Sequence, residues 1–304
     1  MLDLSGTPSC VVTGANGYVG AAITRYLEAR NWNVVPWTRQ PPCSSRGKVF
    51  RLGEEVDRNL LRGVRALVHC AYDFKPRNWN EINAVNVNGS EKLFQAASEA
   101  GVQSVVLLSS LSAFEGCRSL YGRAKLQIER IAQSRGIQVI RPGLIYGERP
   151  GGVFGRLSEQ VRSSRVVPRL WGGRQLQYLL HVEDLGNLVL GCLNGQVPAG
   201  AGPVAVAHHQ GWELKEILLQ IALAMRKRVT LVPIPWRLVW LGLRALELAN
   251  IPTGFRSDSL VGMVYQNPNP SFALLKSLGF QCRSFQISCL TFLAQPDLPV
   301  EREH

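Results

Sequence analysis

Ser9-Cys-Val-Val-Thr13, Gly14-Ala-Asn-Gly17-Tyr-Val-Gly20 and Ala21-Ala-Ile-Thr-Arg-Tyr-Leu-Glu-Ala-Arg30 follow one another without a gap. They read as a β-rich run, a glycine-rich turn and a helix with Ile23 and Leu27 on one side. Glycines in such a turn permit unusual dihedrals and let another backbone approach, and the helix N-terminus offers free N–H groups to an anion. The pattern therefore predicts a dinucleotide site, with Gly14, Asn16, Gly17, Tyr18, Val19 and Gly20 around the pyrophosphate.

The next strand, Asn33 to Trp37, ends in Thr38-Arg39, and no Asp or Glu occurs from Val34 through Gly53. An acidic side chain at this strand end accepts from a ribose 2′-hydroxyl, whereas an arginine receives a 2′-phosphate. NADP(H) is thus favoured over NAD(H), with Thr38 and Arg39 as contacts. Further strands are expected at Lys48–Leu52, Ala66–Cys70, Val105–Ser109 and Ile137–Arg141, and helices at Asn78–Ala100 and Tyr121–Arg135. Gly101 closes the first of these helices. The alternation predicts an α/β fold, a Rossmann-type doubly wound parallel sheet. Ligands of such sheets bind beyond the strand C-termini. Gly14, Arg39, Ala71, Ser110 and Pro142 fall there and should line one crevice.

Within Val105–Lys125 an apolar strand ends in Ser109-Ser110, and Tyr121 stands four residues before Lys125. Four residues apart on a helix share a face. A tyrosine titrates near ~10 when unperturbed, and a nearby ammonium lowers that value. The pair could move a proton at a substrate hydroxyl or carbonyl held by a serine hydroxyl.

Length and composition are those of a globular chain: 304 residues, 46% hydrophobic, 18% charged. No apolar run is long enough to span a membrane, and the N-terminus does not read as a secretory signal. Seven cysteines without a CxxC pair argue against a disulfide framework or a zinc site, and His181, His208 and His209 lack partners at metal-binding spacing. Reduced thiols in a cytoplasmic protein are the expectation, with no metal. His69 is read as packing at a strand end. The net charge of +12 is spread along the chain, which disfavours nucleic acid and suits anionic small molecules.

Together TGANGYVG, VHCAY, NVNGS, LLSS, YGRAK, RPGLIYG and HVEDL, in this order, resemble the extended short-chain dehydrogenase/reductase superfamily, specifically the NAD-dependent epimerase/dehydratase family. The resemblance implies Ser110, Tyr121 and Lys125 as the catalytic set, with Lys125 also holding the nicotinamide ribose. It implies cofactor and substrate contacts from Cys70, Ala71, Tyr72, Asn86, Ser109, Pro142, Gly143, Leu144 and Ile145, and a homodimer built on the helices near 78–100 and 121–135. The expected activity is NAD(P)-dependent epimerisation or ketone reduction on a nucleotide sugar or similar hydroxy/keto substrate. The alternatives are a silent NADP-binding subunit or a dehydrogenase of a sterol-like or lipid alcohol.

Departures from the family narrow the chemistry. Leu111-Ser112 replaces the Asp-Glu pair of the dehydratases, and the decarboxylase glutamate is missing there too. The loop from Ser110 to Tyr121 is short. Gln177 stands where an arginine commonly precedes the HVEDL histidine, with Arg174 as a substitute, and the adenine-binding aspartate is replaced around Leu52-Gly53. Ser112, Arg174, Gln177 and Arg256 are the candidate substrate contacts.

The domain reading places a dinucleotide-binding domain at 1–150, completed by about 178–207, and a smaller substrate domain at 151–177 and 208–304. Asp184 is expected to cap a helix, Tyr178 to Val182 to return toward the main sheet, and Trp212–Arg226 to be helical. Asn267–Gly279 is read as a closing helix and the tail from Pro296 as mobile. In Arg228–Ala249, Pro233 and Pro235 divide a strand from a helix. That helix is read as packed within the substrate domain in preference to lying on a membrane surface.

Overall fold

The computed structural model describes residues 7–41, 45–148, 150–171, 176–198, 200–251, 255–286, 290 and 293. Arg174, Cys43, Cys289 and the tail from Pro296 lie outside the described residues.

Strand β1 (Ser9–Thr13) feeds helix α1 (Tyr18–Glu28), and β2 (Asn33–Thr38), β3 (Lys48–Val49) and β4 (Ala66–His69) follow. The helix expected over Asn78–Ala100 is interrupted: α2 (Trp79–Ile82) passes through a π-turn at Asn83–Val87 into α3 (Asn88–Glu99). The reason is a contact with the loop after β4. Asp73 N–H donates to Asn86 Oδ1 (2.7 Å) and Asn86 Nδ2 donates to Asp73 O (3.0 Å), so the wide turn aims the amide back at the β4 loop. Then come β5 (Ser104–Leu108), α4 (Leu120–Ser134), β6 (Gln138–Pro142) and β7 (Leu144–Tyr146). Helix α5 (Gly152–Ser163), β8 (Val166–Trp171), β9 (Leu176–His181), α6 (Val182–Leu193) and β10 (Val204–Val206) continue the chain. It ends with β11 (Gly211–Glu213), α7 (Leu214–Ala224), β12 (Thr230–Pro235), α8 (Trp236–Leu248), α9 (Ser257–Val264) and α10 (Ala273–Ser277).

Seven strands form one sheet in the order β10-β6-β5-β4-β1-β2-β3, every neighbouring pair parallel. The chain runs outward from β1 through β2 to β3, then jumps back to β4, so the switch point lies between β1 and β4. The inner strands β4 and β5 are largely buried, as expected for a parallel sheet covered on both faces, whereas the edge strand β3 is exposed. Ile23 and Leu27 of α1 and Leu185, Leu188 and Val189 of α6 join Val12 and Val68 in one core cluster. Phe94 of α3 and Ala124, Ile128 and Ala132 of α4 share another with Leu107 and Val139.

Several expectations are corrected here. Tyr178–Val182 does not return to the main sheet: β9 pairs with β7 and β11 in a second, three-stranded sheet. Gly143 permits this crossing, because a Cβ there would lie 2.1 Å from the Tyr178 carbonyl oxygen. The cap of α6 is His181, whose Nδ1 accepts from Glu183 N–H; Asp184 instead accepts from the backbone and guanidinium of Arg283. Gly211–Glu213 is strand, so α7 begins at Leu214 behind a capping box of Glu213 and Glu216. The third strand and the closing helix are shorter than their expected spans, at Lys48–Val49 and Ala273–Ser277.

Candidate active site

The glycine turn is built by close backbone packing. Gly14 has φ +67°, a conformation that favours glycine, and a Cβ there would meet Ala71 N and Cα at 2.9 Å. A Cβ on Gly20 would lie 2.2 Å from Gly14 O, so the first turn of α1 sits directly on the loop. Gly17 is the N-cap residue and makes no side-chain capping bond, and the N-terminal end of a helix attracts an anion. Asn16 is exposed, whereas Tyr18 is buried.

A hydrogen-bonded chain fixes the neighbouring strand end. Ala71 N–H donates to Thr13 Oγ1 (3.3 Å), which pairs with His69 Nδ1 (2.8 Å); His69 Nε2 pairs with Ser90 Oγ (3.0 Å), whose proton goes to Asn86 O (2.6 Å). His69 is thus a neutral donor and acceptor between β1, β4 and α3. Burial, then the Lys125 charge, hold its pKa down to about 3. Asn86 supports the Asp73 loop from behind. Cys70 lies just past β4, its thiol pushed up to about 12 by burial.

At the end of β2, Thr38 Oγ1 donates to Gln40 O (2.6 Å) and Arg39 Nη1 lies 3.3 Å from Asp73 Oδ1. Sequence reading found no acid near Arg39 because Asp73 arrives from the other side of the switch point. Pro142, Gly143, Leu144 and Ile145 bridge the main and second sheets, with Gly143 N–H donating to Val206 O (3.0 Å).

Tyr121 is placed by three contributions. Ser119 caps α4, its Oγ accepting from Gly122 N–H (3.0 Å). Asp258 of α9 accepts from Leu120 N–H (2.7 Å) and Tyr121 N–H (3.0 Å), a carboxylate seated on the helix N-terminus. Gly122 lets the helix meet the loop after β5, since a Cβ there would be 2.4 Å from Ser112 O. Ser112 N–H donates to Ser110 Oγ (3.1 Å), while Ser109 Oγ is buried without a partner among the described residues.

Lys125, 3% exposed, donates from Nζ to Leu108 O (2.8 Å) and lies 5.2 Å from the Tyr72 ring centre and 6.0 Å from that of Tyr121. Burial lowers its pKa to about 8, against the opposing influence of Cys70 and Glu129. Tyr72 stands edge-on to Tyr121 (ring centres 4.9 Å apart) and Phe74 stacks on it (5.8 Å). Burial raises the Tyr72 phenol, keeping it protonated.

Asp258 and Phe74 are the site residues that sequence reading missed. Asp258 stands two residues beyond Arg256, a candidate substrate contact. That arginine donates from Nη1 to the carbonyls of Phe74 and of Pro76 (3.1 Å to Pro76 O), fastening the aromatic segment. Gln177 is buried and accepts from Gln266 Nε2 (2.8 Å). Among the substrate candidates Ser112 adjoins Ser110, and Arg256 lines a pocket with Tyr72, Phe74 and Tyr121; Arg174 lies outside the described residues.

The residues fit a dinucleotide: a glycine cradle that a Cβ would fill, a helix N-terminus without a side-chain capping bond, a partnerless buried Ser109 hydroxyl and a lysine at the strand ends. Comparison with known proteins agrees in kind. The description "NAD dependent epimerase/dehydratase family" matches residues 10–200. Ceramide reductase of Caulobacter vibrioides is 28% identical over 237 residues, covering 74% of this chain and 73% of that protein. Sterol-4-alpha-carboxylate 3-dehydrogenase, decarboxylating, of Homo sapiens is 27% identical over 204 residues, covering 58% and 55%. Among solved structures, MoeE5 in complex with UDP-glucose and NAD has a TM-score of 0.72 at 20% identity, over 94% of this chain and 97% of that one.

Proposed function

The chain belongs to the NAD-dependent epimerase/dehydratase family, and from that premise we propose that it is an NADP(H)-dependent oxidoreductase interconverting a ketone and a secondary alcohol. The observation that carries this is Tyr121 held at the N-terminus of α4 by Asp258, with the buried Lys125 ammonium beside its ring. A bound nicotinamide dinucleotide supplies or accepts the hydride. Tyr121 delivers or removes the proton at the substrate oxygen, and Ser110 orients that oxygen through its hydroxyl. Lys125 favours departure of the Tyr121 proton by its charge. Leu111-Ser112 provides no acid/base pair for elimination of water. Arg39 is assigned to the 2′-phosphate of NADP(H), exchanging Asp73 for it. Tighter binding of NADH than of NADPH in a titration would overturn that assignment.

Of the two substrate classes, the surroundings of Tyr121 favour the apolar one. Tyr72 and Phe74 flank it, Gln177 replaces an arginine, and Arg256 is engaged with backbone carbonyls rather than open to a diphosphate. Similarity to the ceramide reductase and the sterol dehydrogenase supports the same choice. A homodimer across α3 and α4 is the expected assembly, and a monomeric mass would reject it. For the mechanism, Tyr121→Phe should lower turnover at least about 100-fold while dinucleotide affinity stays unchanged. Full turnover in that variant would remove Tyr121 from the reaction.

A further inference from the structure

Helix α8 presents its leucines to solvent. At 100° per residue, Leu238, Leu241, Ala245 and Leu248 form one stripe. Leu238 is 60% exposed, Leu241 56% and Leu248 72%, and Val232 before the helix and Ile251 after it are exposed too. The opposite side carries the helix's attachments. Val239, Trp240 and Leu243 are half-buried there, and Trp236 packs edge-on against Tyr265 (5.7 Å). Buried Glu247 accepts from Ser257 N–H and Oγ (2.7 Å each), while Arg77 donates to Glu247 O (2.8 Å) and Asn250 Oδ1 (2.7 Å). The outward orientation is therefore fixed by specific hydrogen bonds at the C-terminal end of the helix.

Charge says what suits this face. Arg237 and Arg244, seven residues apart and both exposed, run along one border of the stripe. The helix's single acid, Glu247, is on the attached side, where it also lies 3.4 Å from Arg244. Two copies meeting through α8 would bring four arginines together with no exposed carboxylate from either helix. An anionic lipid surface offers the opposite charge, and the chain's +12 adds a long-range attraction to it. The helix has 13 residues, a length of about 20 Å against a hydrocarbon core of about 30 Å. No helix among the described residues is long and apolar enough to cross a membrane, so contact through α8 would be in the plane of the surface.

We propose that α8 docks the protein on an anionic lipid bilayer, its leucine stripe entering the headgroup boundary and Arg237 and Arg244 meeting lipid phosphates. The inference is independent of the reaction catalysed at Tyr121. The test is flotation of the full chain with phosphatidylcholine vesicles, with and without phosphatidylglycerol. The wild-type protein should float only with the anionic vesicles. Arg237→Gln, which leaves the Arg244–Glu247 pair intact, should weaken that binding roughly fivefold, and Leu238→Glu/Leu241→Glu should abolish it, both variants keeping the wild-type melting temperature. Failure of the wild-type chain to float with anionic vesicles overturns the proposal. So does binding unchanged in both variants, or a wild-type dimer that floats with neither vesicle and that Leu238→Glu/Leu241→Glu turns into monomer.

Discussion

Helices α1 and α8 have 11 and 13 residues and similar apolar content, but opposite surroundings. Helix α1 buries Tyr18, Gly20, Ala22, Ile23 and Leu27 against the sheet and α6; α8 buries Glu247 alone. The difference lies in where their small and polar residues fall. Helix α1 opens with Gly20 against Gly14 and keeps its charged residues on the side away from Ile23 and Leu27. Helix α8 is apolar nearly all round, so composition alone does not choose its inner face; the choice falls to Glu247 and its bonds to Ser257. A helix's mean hydropathy is thus a poor guide to its burial, and the placing of its few polar groups is a better one.

The contrast can be broken most severely at Gly20. Gly20→Val puts side-chain atoms against Gly14 O, and dinucleotide binding should be lost in a fluorescence titration, with destabilisation of about 1–3 kcal/mol or more. Ile23→Ala should cost about 2–5 kcal/mol in urea unfolding, whereas Leu238→Ala in α8 should stay within about 0.5 kcal/mol. A comparable loss at both would mean that α8 is packed after all. Between these lies Asp258, which ties α9 to the catalytic helix. Asp258→Ala should cost about 1 kcal/mol of stability and reduce turnover without weakening NADPH binding, and Asp258→Asn, keeping one acceptor oxygen, should recover part of the turnover.

Lys125 gives a pH dependence with a definite sign. Its folded pKa of about 8 lies below the ordinary lysine value of 10.5, so between these values the unfolded chain binds the additional proton and this group's contribution to stability rises with pH. Turnover should move the other way, falling as the ammonium is lost above about 8. Lys125→Arg, charged throughout, should flatten the alkaline rise in stability measured by thermal melts. A rise of the same slope in that variant would assign it elsewhere.

Much of the dinucleotide half was legible because its signals are local. A strand, three glycines and a helix in sequence dictate the turn, and Tyr121 and Lys125 share a face by spacing alone. The features that escaped reading join residues far apart in the chain. Asp258 on the N-terminus of α4, Arg256 on the Phe74–Pro76 carbonyls and Asp73 beside Arg39 have no local signature. The π-turn escaped for a related reason: Asn86 breaks the helical register to reach Asp73, a partner outside its own helix. Pairing of β9 with β7 was hidden because an apolar strand does not announce which sheet receives it.

Transfer of the cofactor's own hydride tests the central claim most directly. NADPH deuterated at the transferable nicotinamide position, incubated with the protein and a panel of apolar ketones, should be oxidised as deuterium appears on the new carbinol carbon of one product. Deuterium that stays on the cofactor with every ketone, or a product epimerised with NADPH unconsumed, would contradict it.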